Sequence, residues 1–115
     1  MSKTKRPKKT KVGDREYDII WDKTVYDDNG TSVNGTCDSD NLEIFVSTAN
    51  HAYRMKVTLV HELTHALDDF SGIDLTERQT AALSHILFMW LNDNMHIIKY
   101  LTENNEELKA ADRGE

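Results

Sequence analysis

Apolar and polar residues alternate along the chain with two different periods, one before and one after residue 50. Between residues 16 and 46, short apolar runs with aromatic and β-branched residues are separated by turn signals, of which residues 28–30 (Asp-Asn-Gly) are the clearest. Residues 42–46 place an aliphatic side chain at every second position, which is the period of a half-buried strand. The pattern predicts a short antiparallel sheet of about three strands.

After residue 50, apolar residues recur at spacings of three and four, the period of an amphipathic helix. A first helix is predicted from about residue 50 to residue 70, with repeating positions at Tyr53, Val57, Val60, Thr64 and Leu67. Gly72 follows its last turn and can end it in the left-handed conformation. A short third helix is predicted over residues 95–101. The chain therefore predicts an α+β fold in which the sheet precedes three helices.

The second of these helices has two candidate starting motifs. Asp74 with Glu77, or Thr76 with Gln79, has the three-residue spacing of a capping box. The helix then continues to a polar end near residues 92–94. The only tryptophans, Trp21 and Trp90, are both expected in the core.

Length and charge indicate one acidic domain with a basic tail. The chain has 115 residues, enough for a single modest core. Residues 1–15 hold seven of the 14 basic residues and one acid, which leaves seven basic and 19 acidic residues, a net charge of −12, in the remainder. Residues 1–13 are predicted to be a disordered tail that either contacts nucleic acid or solubilises the protein and folds back on its acidic body. The domain is predicted to span residues 14–102, and the charged residues 103–115 to fray.

The sequence offers no membrane segment and no secretory signal. No apolar run approaches the ~18 residues that a membrane-spanning helix needs, and the basic N-terminus is not followed by an apolar segment. Cys37 is the only cysteine, so no intrachain disulfide exists, and a small, partly buried strand residue is expected there. We therefore expect a cytoplasmic protein that binds no membrane.

Residues 61–65 read His-Glu-Leu-Thr-His, the H-E-x-x-H pattern of zinc metallopeptidase helices. Residues four apart share one face of a helix, so His61 and His65 can both present an imidazole nitrogen to one metal ion. Glu62 lies beside them and can act as a general base without being a ligand. The simpler alternative is two histidines that are spaced by four without a metal. The apolar, β-branched residues before the motif favour the metal site, because they are typical of a helix packed into a core.

A catalytic zinc ion usually has three protein ligands and one open position. The longer motif with a glycine and a third histidine is absent, because aspartate and serine occupy those two positions. Asp69 lies about 12 Å from His61 along one helix at ~1.5 Å per residue, too far for a shared ion. Glu77, at the start of the next helix, is the candidate that geometry favours. The alternative role of Glu77 is to stabilise the helix dipole or to close a capping box.

Other side chains are candidates for supporting roles. His85 is the alternative third ligand, eight residues after Glu77. Asp68 and Asp69 are candidates to accept the second ring N–H of a metal-bound histidine, or are charges on the helix surface. A donor for a developing oxyanion is also needed in many such sites, and the sequence offers Tyr53, His85, His96 and Tyr100 without choosing among them.

The segment Thr58–Leu67 (TLVHELTHAL), followed by Leu-Thr-Glu at residues 75–77 at the start of a helix, resembles small phage and prophage metallopeptidases related to the ImmA/IrrE group. The similarity covers roughly residues 41–101. It implies a zincin-like fold, one zinc ion held by His61, His65 and Glu77, catalysis by Glu62, and the cytoplasm of a bacterium or a phage-infected host. In that group the glutamate lies farther downstream, and its usual alanine three residues later is Thr80 here.

The hypothesis is zinc-dependent hydrolysis of a peptide bond in a protein or peptide substrate, with Glu62 taking a proton from a zinc-activated water. The strand over residues 42–46 is expected either to be the sheet edge that receives the substrate or to be a plain core strand. The main alternative is a catalytically silent zinc-binding module of phage origin that binds a host protein. The intact Glu62 argues against it, because a binding module has no use for a base. Nucleic-acid binding through the tail and a purely structural helical domain are further alternatives.

Overall fold

The computed structural model describes residues 5–103, Glu106 and Gly114, and its sheet precedes its three helices as predicted. In chain order the strands are β1 (Lys9–Val12), β2 (Arg15–Asp22), β3 (Val25–Tyr26), β4 (Ser32–Val33), β5 (Gly35–Asp38) and β6 (Glu43–Ser47). The helices are α1 (Ala52–Ser71), α2 (Glu77–Asp93) and α3 (Met95–Thr102). The predicted α+β class is confirmed.

The main sheet is mixed and has four strands in the order β1-β2-β6-β5, while β3 and β4 form a separate two-stranded ribbon. β2 and β6 run parallel, with Ile19 beside Ile44, and the two outer strands run antiparallel to their neighbours. The prediction of an antiparallel sheet of about three strands is therefore correct for two of the three pairings and wrong for the parallel pair β2–β6 and for the number of strands. Turn signals report local reversals of the chain. The pairing of β2 with β6 depends instead on buried apolar side chains that both strands turn toward the same helix.

The basic N-terminal segment is part of this sheet. β1 pairs with β2, and Val12 is buried in the core. Before β1, the Pro7 carbonyl accepts a hydrogen bond of 2.7 Å from the indole N–H of Trp21. The Arg6 guanidinium lies 5.5 Å from the centre of the same indole ring. The residues just before β1 are thus attached to β2, as β1 itself is.

The prediction of a disordered tail over residues 1–13 is wrong for β1, and the folded unit begins before residue 14. The reason is that β1 forms a hairpin with β2 across residues 13–14, and the mostly polar residues of β1 give no apolar pattern that would show it. Residues 1–4 of that predicted tail lie outside the described residues. So does most of the segment 103–115 for which fraying is predicted.

Helix α1 covers one face of the main sheet. The core that joins them consists of the buried residues Val12, Tyr17, Ile19, Ile44, Val46 and Ala66. α1 begins after His51, whose Nδ1 accepts a hydrogen bond from the backbone N–H of Arg54. It ends at Gly72, whose φ of 73° is the left-handed conformation that the sequence predicts.

Helix α2 folds back on α1 and buries Thr80 and Ser84 against it. Thr76 and Gln79 form a reciprocal capping box, which decides between the two predicted motifs. Trp90 is 43% exposed on α2, so its predicted place in the core is wrong, whereas Trp21 packs against the core. Within the part of the chain that is described, no helix combines the length and apolar character needed to cross a membrane.

Candidate metal centre

The H-E-x-x-H residues and Glu77 come from two neighbouring helices. His61 and His65 lie one turn apart on α1, and Glu77 is the first residue of α2. The two helices pack against each other, so the beginning of α2 lies beside the second half of α1. Two helices therefore supply the three side chains that the sequence predicts as ligands.

The short connection between the helices fixes where α2 begins. It includes two residues with left-handed backbone conformation, Gly72 (φ 73°) and Asp74 (φ 67°). The Asp68 carboxylate of α1 accepts hydrogen bonds of 3.1 Å from the backbone N–H of Leu75 at both of its oxygens. Because α1 itself anchors the connection, the position of Glu77 relative to the histidines is set locally.

The ligand atoms of His61, His65 and Glu77 (the triad) converge on one point. The Nε2 atoms of His61 and His65 lie 2.8 and 3.0 Å from Glu77 Oε1 and Oε2, respectively, and 3.2 Å from each other. Among the described residues, no other group of three or more His, Cys, Asp or Glu side chains has ligand atoms that all lie within 4.8 Å of one another. A tetrahedral ion with bonds of about 2.0–2.2 Å needs ligand atoms ~3.3–3.5 Å apart. Movements of a few tenths of an ångström would adapt the triad to an ion.

The triad is open on one side. The His61 and His65 side chains are 23% and 30% exposed, whereas the Glu77 side chain is 70% exposed. Two nitrogens and one carboxylate with solvent access correspond to the ligand set of a catalytic zinc site, whereas structural sites are closed by four protein ligands. The residues present thus fit a metal ion with a free coordination position.

Glu62 follows His61 on α1 and extends toward Gly35 of β5, and only 7% of it is exposed. No hydrogen-bond partner of its carboxylate is found in the described part of the chain. Burial raises the pKa of Glu62 to about 7, and the negative charge of Glu77 contributes to the same shift. A carboxyl group with this pKa can accept a proton and return it at neutral pH.

Gly35 makes room for Glu62, and the sequence analysis missed this role. A Cβ atom at Gly35 would lie 2.6 Å from Thr58 Cγ2, 2.8 Å from the Phe45 carbonyl oxygen and 3.2 Å from Glu62 Cγ. The Asn-Gly dipeptide at residues 34–35 suggests a turn, but Gly35 begins β5 where that strand approaches α1. Only a glycine allows β5 to lie this close to α1. The position of β5 and the burial of the Glu62 side chain therefore depend on Gly35.

Asp68 and Asp69 do not support the histidines as predicted. Asp69 accepts a hydrogen bond of 2.7 Å from the Arg15 guanidinium, which ties α1 to the β1–β2 turn. The Asp68 carboxylate accepts a hydrogen bond from the backbone N–H of Leu75, in the connection to α2. Neither carboxylate hydrogen bonds to a histidine among the described contacts. The contact that the structure gives Asp68 instead holds the connection before Glu77.

The other predicted candidates lie outside the triad. His85 is exposed on α2. Tyr53 is near the start of α1, where its ring meets Phe88 edge-to-face at 5.7 Å, about 12 Å along the helix before the motif at ~1.5 Å per residue. His96 and Tyr100 are exposed on α3. None of these four predicted side chains lines the cavity beside the triad.

The sheet edge next to α1 is β5, and not the strand that the sequence predicts over residues 42–46. The predicted edge, β6, lies between β2 and β5 and is a central strand. β2 and β5 occupy both of its edges, and its Ile44 and Val46 are buried on the face that α1 covers. Among the described strands β5 pairs only with β6, and it also packs against α1 and contacts β3. Backbone groups on its other side can accept an extended peptide.

A cavity of about 420 Å³ lies between β5 and the second half of α1. Cys37 and Ser39 line it from the β5 side, and Glu62 and His65 line it from α1. Cys37 is half-buried in its strand, as predicted. Burial raises the pKa of the Cys37 thiol to about 11, so it is a neutral thiol at pH 7. The buried carboxyl group of Glu62 therefore faces a space that can hold a small ligand.

Comparisons with known proteins add no identification: no family model matches the sequence, and no match is found among curated proteins or solved structures.

Proposed function

We propose that this protein is a zinc-dependent metallopeptidase. The observation that carries the proposal is the convergence of His61, His65 and Glu77 beside a buried carboxyl group, Glu62, that faces a cavity next to a sheet edge. A metal site needs only the triad. The buried acid with a pKa near 7 has no structural partner, so a role in proton transfer accounts for it.

Zinc is the metal that suits the ligands best. Two imidazole nitrogens and one carboxylate with an open position form the His₂Glu set of catalytic zinc sites. When bound there, zinc supplies a Lewis acid that polarises a carbonyl and lowers the pKa of water toward ~7. The protein residues must then position the peptide, move the proton and limit access of bulk water.

Glu62 is the residue that moves the proton. In its ionised form it takes a proton from the attacking water, and its raised pKa favours holding that proton. It then delivers the proton to the nitrogen of the leaving amine, which regenerates the carboxylate. The amide nitrogen would otherwise leave as an unstable anion, so this transfer is needed for the C–N bond to break.

Strand β5 is proposed to align the substrate. An extended peptide that adds to its free edge would form backbone hydrogen bonds and pass between β5 and the triad. This arrangement, together with the active-site helix and the glutamate of the next helix, is compatible with a zincin-like fold and with the resemblance to the ImmA/IrrE group. We also propose the bacterial or phage-infected host cytoplasm as its compartment.

The first test is the zinc content of the purified protein, measured by elemental analysis after reconstitution. We expect about one zinc per chain in the wild type and weaker binding in Glu77→Ala, because two ligands remain. His85→Ala is the matched control, since His85 is exposed on the same helix and should leave zinc binding unchanged. Absence of zinc in the reconstituted wild type would refute the metal centre.

The second test is peptide hydrolysis by the wild type and by Glu62→Gln. The variant keeps the side-chain shape but cannot accept the proton. We expect zinc to remain bound and turnover to fall by a factor on the order of 10²–10⁴, the usual contribution of a general base. Hydrolysis that is equal in both proteins would contradict the proposed mechanism.

A zinc-binding module without turnover is the second candidate function. It is favoured by large apolar side chains that α2 and α3 expose, which are Leu83, Ile86, Met89, Trp90, Met95, Ile97, Tyr100 and Leu101. Such a surface can bind a host protein. This candidate predicts that Glu62→Gln is fully functional, so the same variant separates the two proposals.

A further inference from the structure

Two cavities adjoin β5. The first is the triad-side cavity of about 420 Å³ between β5 and α1. The second, the ribbon-side cavity, has about 870 Å³ and extends from β5 to the β3–β4 ribbon. Cys37 and Ser39 line both, so the cavities meet at the β5 edge. We call the two cavities and this edge the cleft.

The charges of the cleft are almost all negative. Glu62, Asp68, Asp69 and Asp74 line the triad-side cavity, and Asp22, Asp27, Asp28, Asp38 and Asp40 line the ribbon-side cavity. No lysine or arginine of the described residues lines either cavity. The Arg15 guanidinium donates a hydrogen bond of 2.7 Å to Asp69 from outside the cavity lining. A concave surface with one sign of charge concentrates its electrostatic field and attracts the opposite charge.

A second observation points to a ligand in the cleft. Glu62 is a polar side chain that is more than nine-tenths buried, lacks a hydrogen-bond partner in the described chain, and lines the triad-side cavity. The adjoining β5 edge leaves backbone donors and acceptors available. The carboxylate oxygens of Glu62 are not among the enclosed polar atoms that lack a partner, so they are open to the cavity and can contact a molecule bound there.

The carboxylates do not form a second metal site. Among the described residues, only the triad gathers three metal-ligating side chains within 4.8 Å of one another. Carboxylates that are spread over two cavities fit several separate positive charges better than one ion. Lysine and arginine side chains have this character, because each reaches outward on a flexible chain from an extended backbone.

The geometry also explains how one peptide can use both cavities. Residues of β5 alternate between the two faces of the sheet. Cys37 is opposite Ile44, which is buried beneath α1, while Thr36 is opposite Phe45 and lines the ribbon-side cavity. A strand added to β5 would alternate in the same way. Its successive side chains would therefore reach the triad-side and ribbon-side cavities in turn.

We propose that the cleft selects extended, positively charged peptide segments, with lysine or arginine side chains on both sides of the bond that is cut. This inference rests on the proposed peptidase function for the position of the bond. It names the substrate class, which the triad alone does not determine.

The proposal is tested first by binding, so that catalysis is not required. Zinc-loaded Glu62→Gln is titrated against fluorescent octapeptides rich in lysine, glutamine or glutamate, and fluorescence anisotropy is measured. We expect the lysine peptide to bind at least ~10-fold more tightly than the glutamine peptide and to weaken as salt is raised, because several charge pairs contribute. Equal binding of the lysine and glutamine peptides would overturn the proposal.

Matched charge variants show whether the lysine peptide is bound by the carboxylates of the cleft or by the overall negative charge of the protein. Asp74→Asn and Asp40→Asn each remove one cleft carboxylate, and asparagine also tolerates the positive φ of residue 74. Each should weaken binding of the lysine peptide roughly 2- to 5-fold. Asp93→Asn, at the far end of α2, removes the same charge outside the cleft and should have little effect. Equal losses in all three variants would overturn the assignment to the cleft.

Cleavage-site mapping then separates this inference from the proposed function. A mixture of unfolded polypeptides is treated with zinc-loaded wild type or with Glu62→Gln, and new termini are identified by mass spectrometry. Cuts specific to the wild type and enriched in lysine or arginine within about three residues of the bond support the inference. Wild-type cuts without this enrichment overturn it but leave the peptidase function intact. Binding of cationic peptides without any wild-type cuts would retain the cleft preference and refute the peptidase function.

Discussion

At the scale of single residues, the two adjacent side chains His61 and Glu62 point to different surroundings. His61 faces Glu77 of α2, and Glu62 lies between α1 and β5. The motif alone predicts both residue types and their chemistry. It does not predict that the base is buried, because burial depends on β5, which approaches α1 only in the folded chain.

The buried Glu62 makes stability depend on pH in the metal-free protein. Its pKa is about 7 in the folded state against 4.5 for an ordinary glutamate, so folding favours the protonated form. Its contribution to stability is complete below pH 4.5 and is lost as the pH rises through about 7. At pH 8, in chelator, Glu62→Gln should be more stable than the wild type by up to about 3 kcal/mol, and near pH 4.5 the two should be similar. Urea unfolding at both pH values measures this, and a gap that does not change with pH would contradict it.

Gly35 should be intolerant of even one methyl group. A Cβ there would overlap Thr58 Cγ2 and the Phe45 carbonyl oxygen, so β5 must move away from α1. We expect Gly35→Ala to lower the free energy of unfolding by about 1–3 kcal/mol. Adding Thr58→Ser removes the Cγ2 methyl and should recover part of the loss in chemical denaturation. No recovery would show that the backbone contact alone causes the destabilisation.

At the scale of elements, the helices could be predicted closely and the sheet could not. α1, α2 and α3 begin and end within a few residues of their predicted limits, because helix ends depend on local signals such as Gly72 and the Thr76–Gln79 capping box. The polar residues of β1 hide its hairpin with β2, for which the Gly-Asp dipeptide at residues 13–14 is the available turn signal. The pairing of β2 with β6 is not local, because β3, β4 and β5 lie between these two strands in the chain.

The capping box at the start of α2 should affect the metal site as well as the helix. Thr76 Oγ1 accepts the N–H of Gln79, and Glu77 lies between these two residues. Thr76→Ala should cost about 1 kcal/mol of stability and weaken zinc binding, because the third ligand lies in the turn that frays. Thr76→Ser keeps the hydroxyl and is the control. Unfolding and competitive zinc titration measure the two effects, and unchanged zinc affinity in Thr76→Ala would show that Glu77 is held by other contacts.

At the scale of the whole molecule, the described chain has a small core, with only seven hydrophobic residues that are buried. A domain of this size has little stability in reserve. An ion that joins α1 to α2 would add to it, because the triad is assembled only in the folded state.

Zinc should therefore raise the free energy of unfolding measurably. At a free zinc concentration 100 times the dissociation constant, the gain should be about 2.7 kcal/mol. Denaturant unfolding in zinc and in chelator measures the difference. Glu77→Ala at the same zinc concentration should show a smaller difference. An identical gain in that variant would place the stabilising ion elsewhere.

The two outer strands of the sheet differ in a way that bears on solubility at high concentration. The outward side chains of β1 include Lys9 and Lys11, which would repel an identical strand and discourage edge-to-edge aggregation. β5 has no lysine or arginine, but Asp38 and the carboxylates of the adjoining cleft give its edge a negative charge. Two copies of β5 would therefore repel each other as two copies of β1 do. Concentrated samples are expected to stay soluble at low salt and to associate more readily as salt screens these charges.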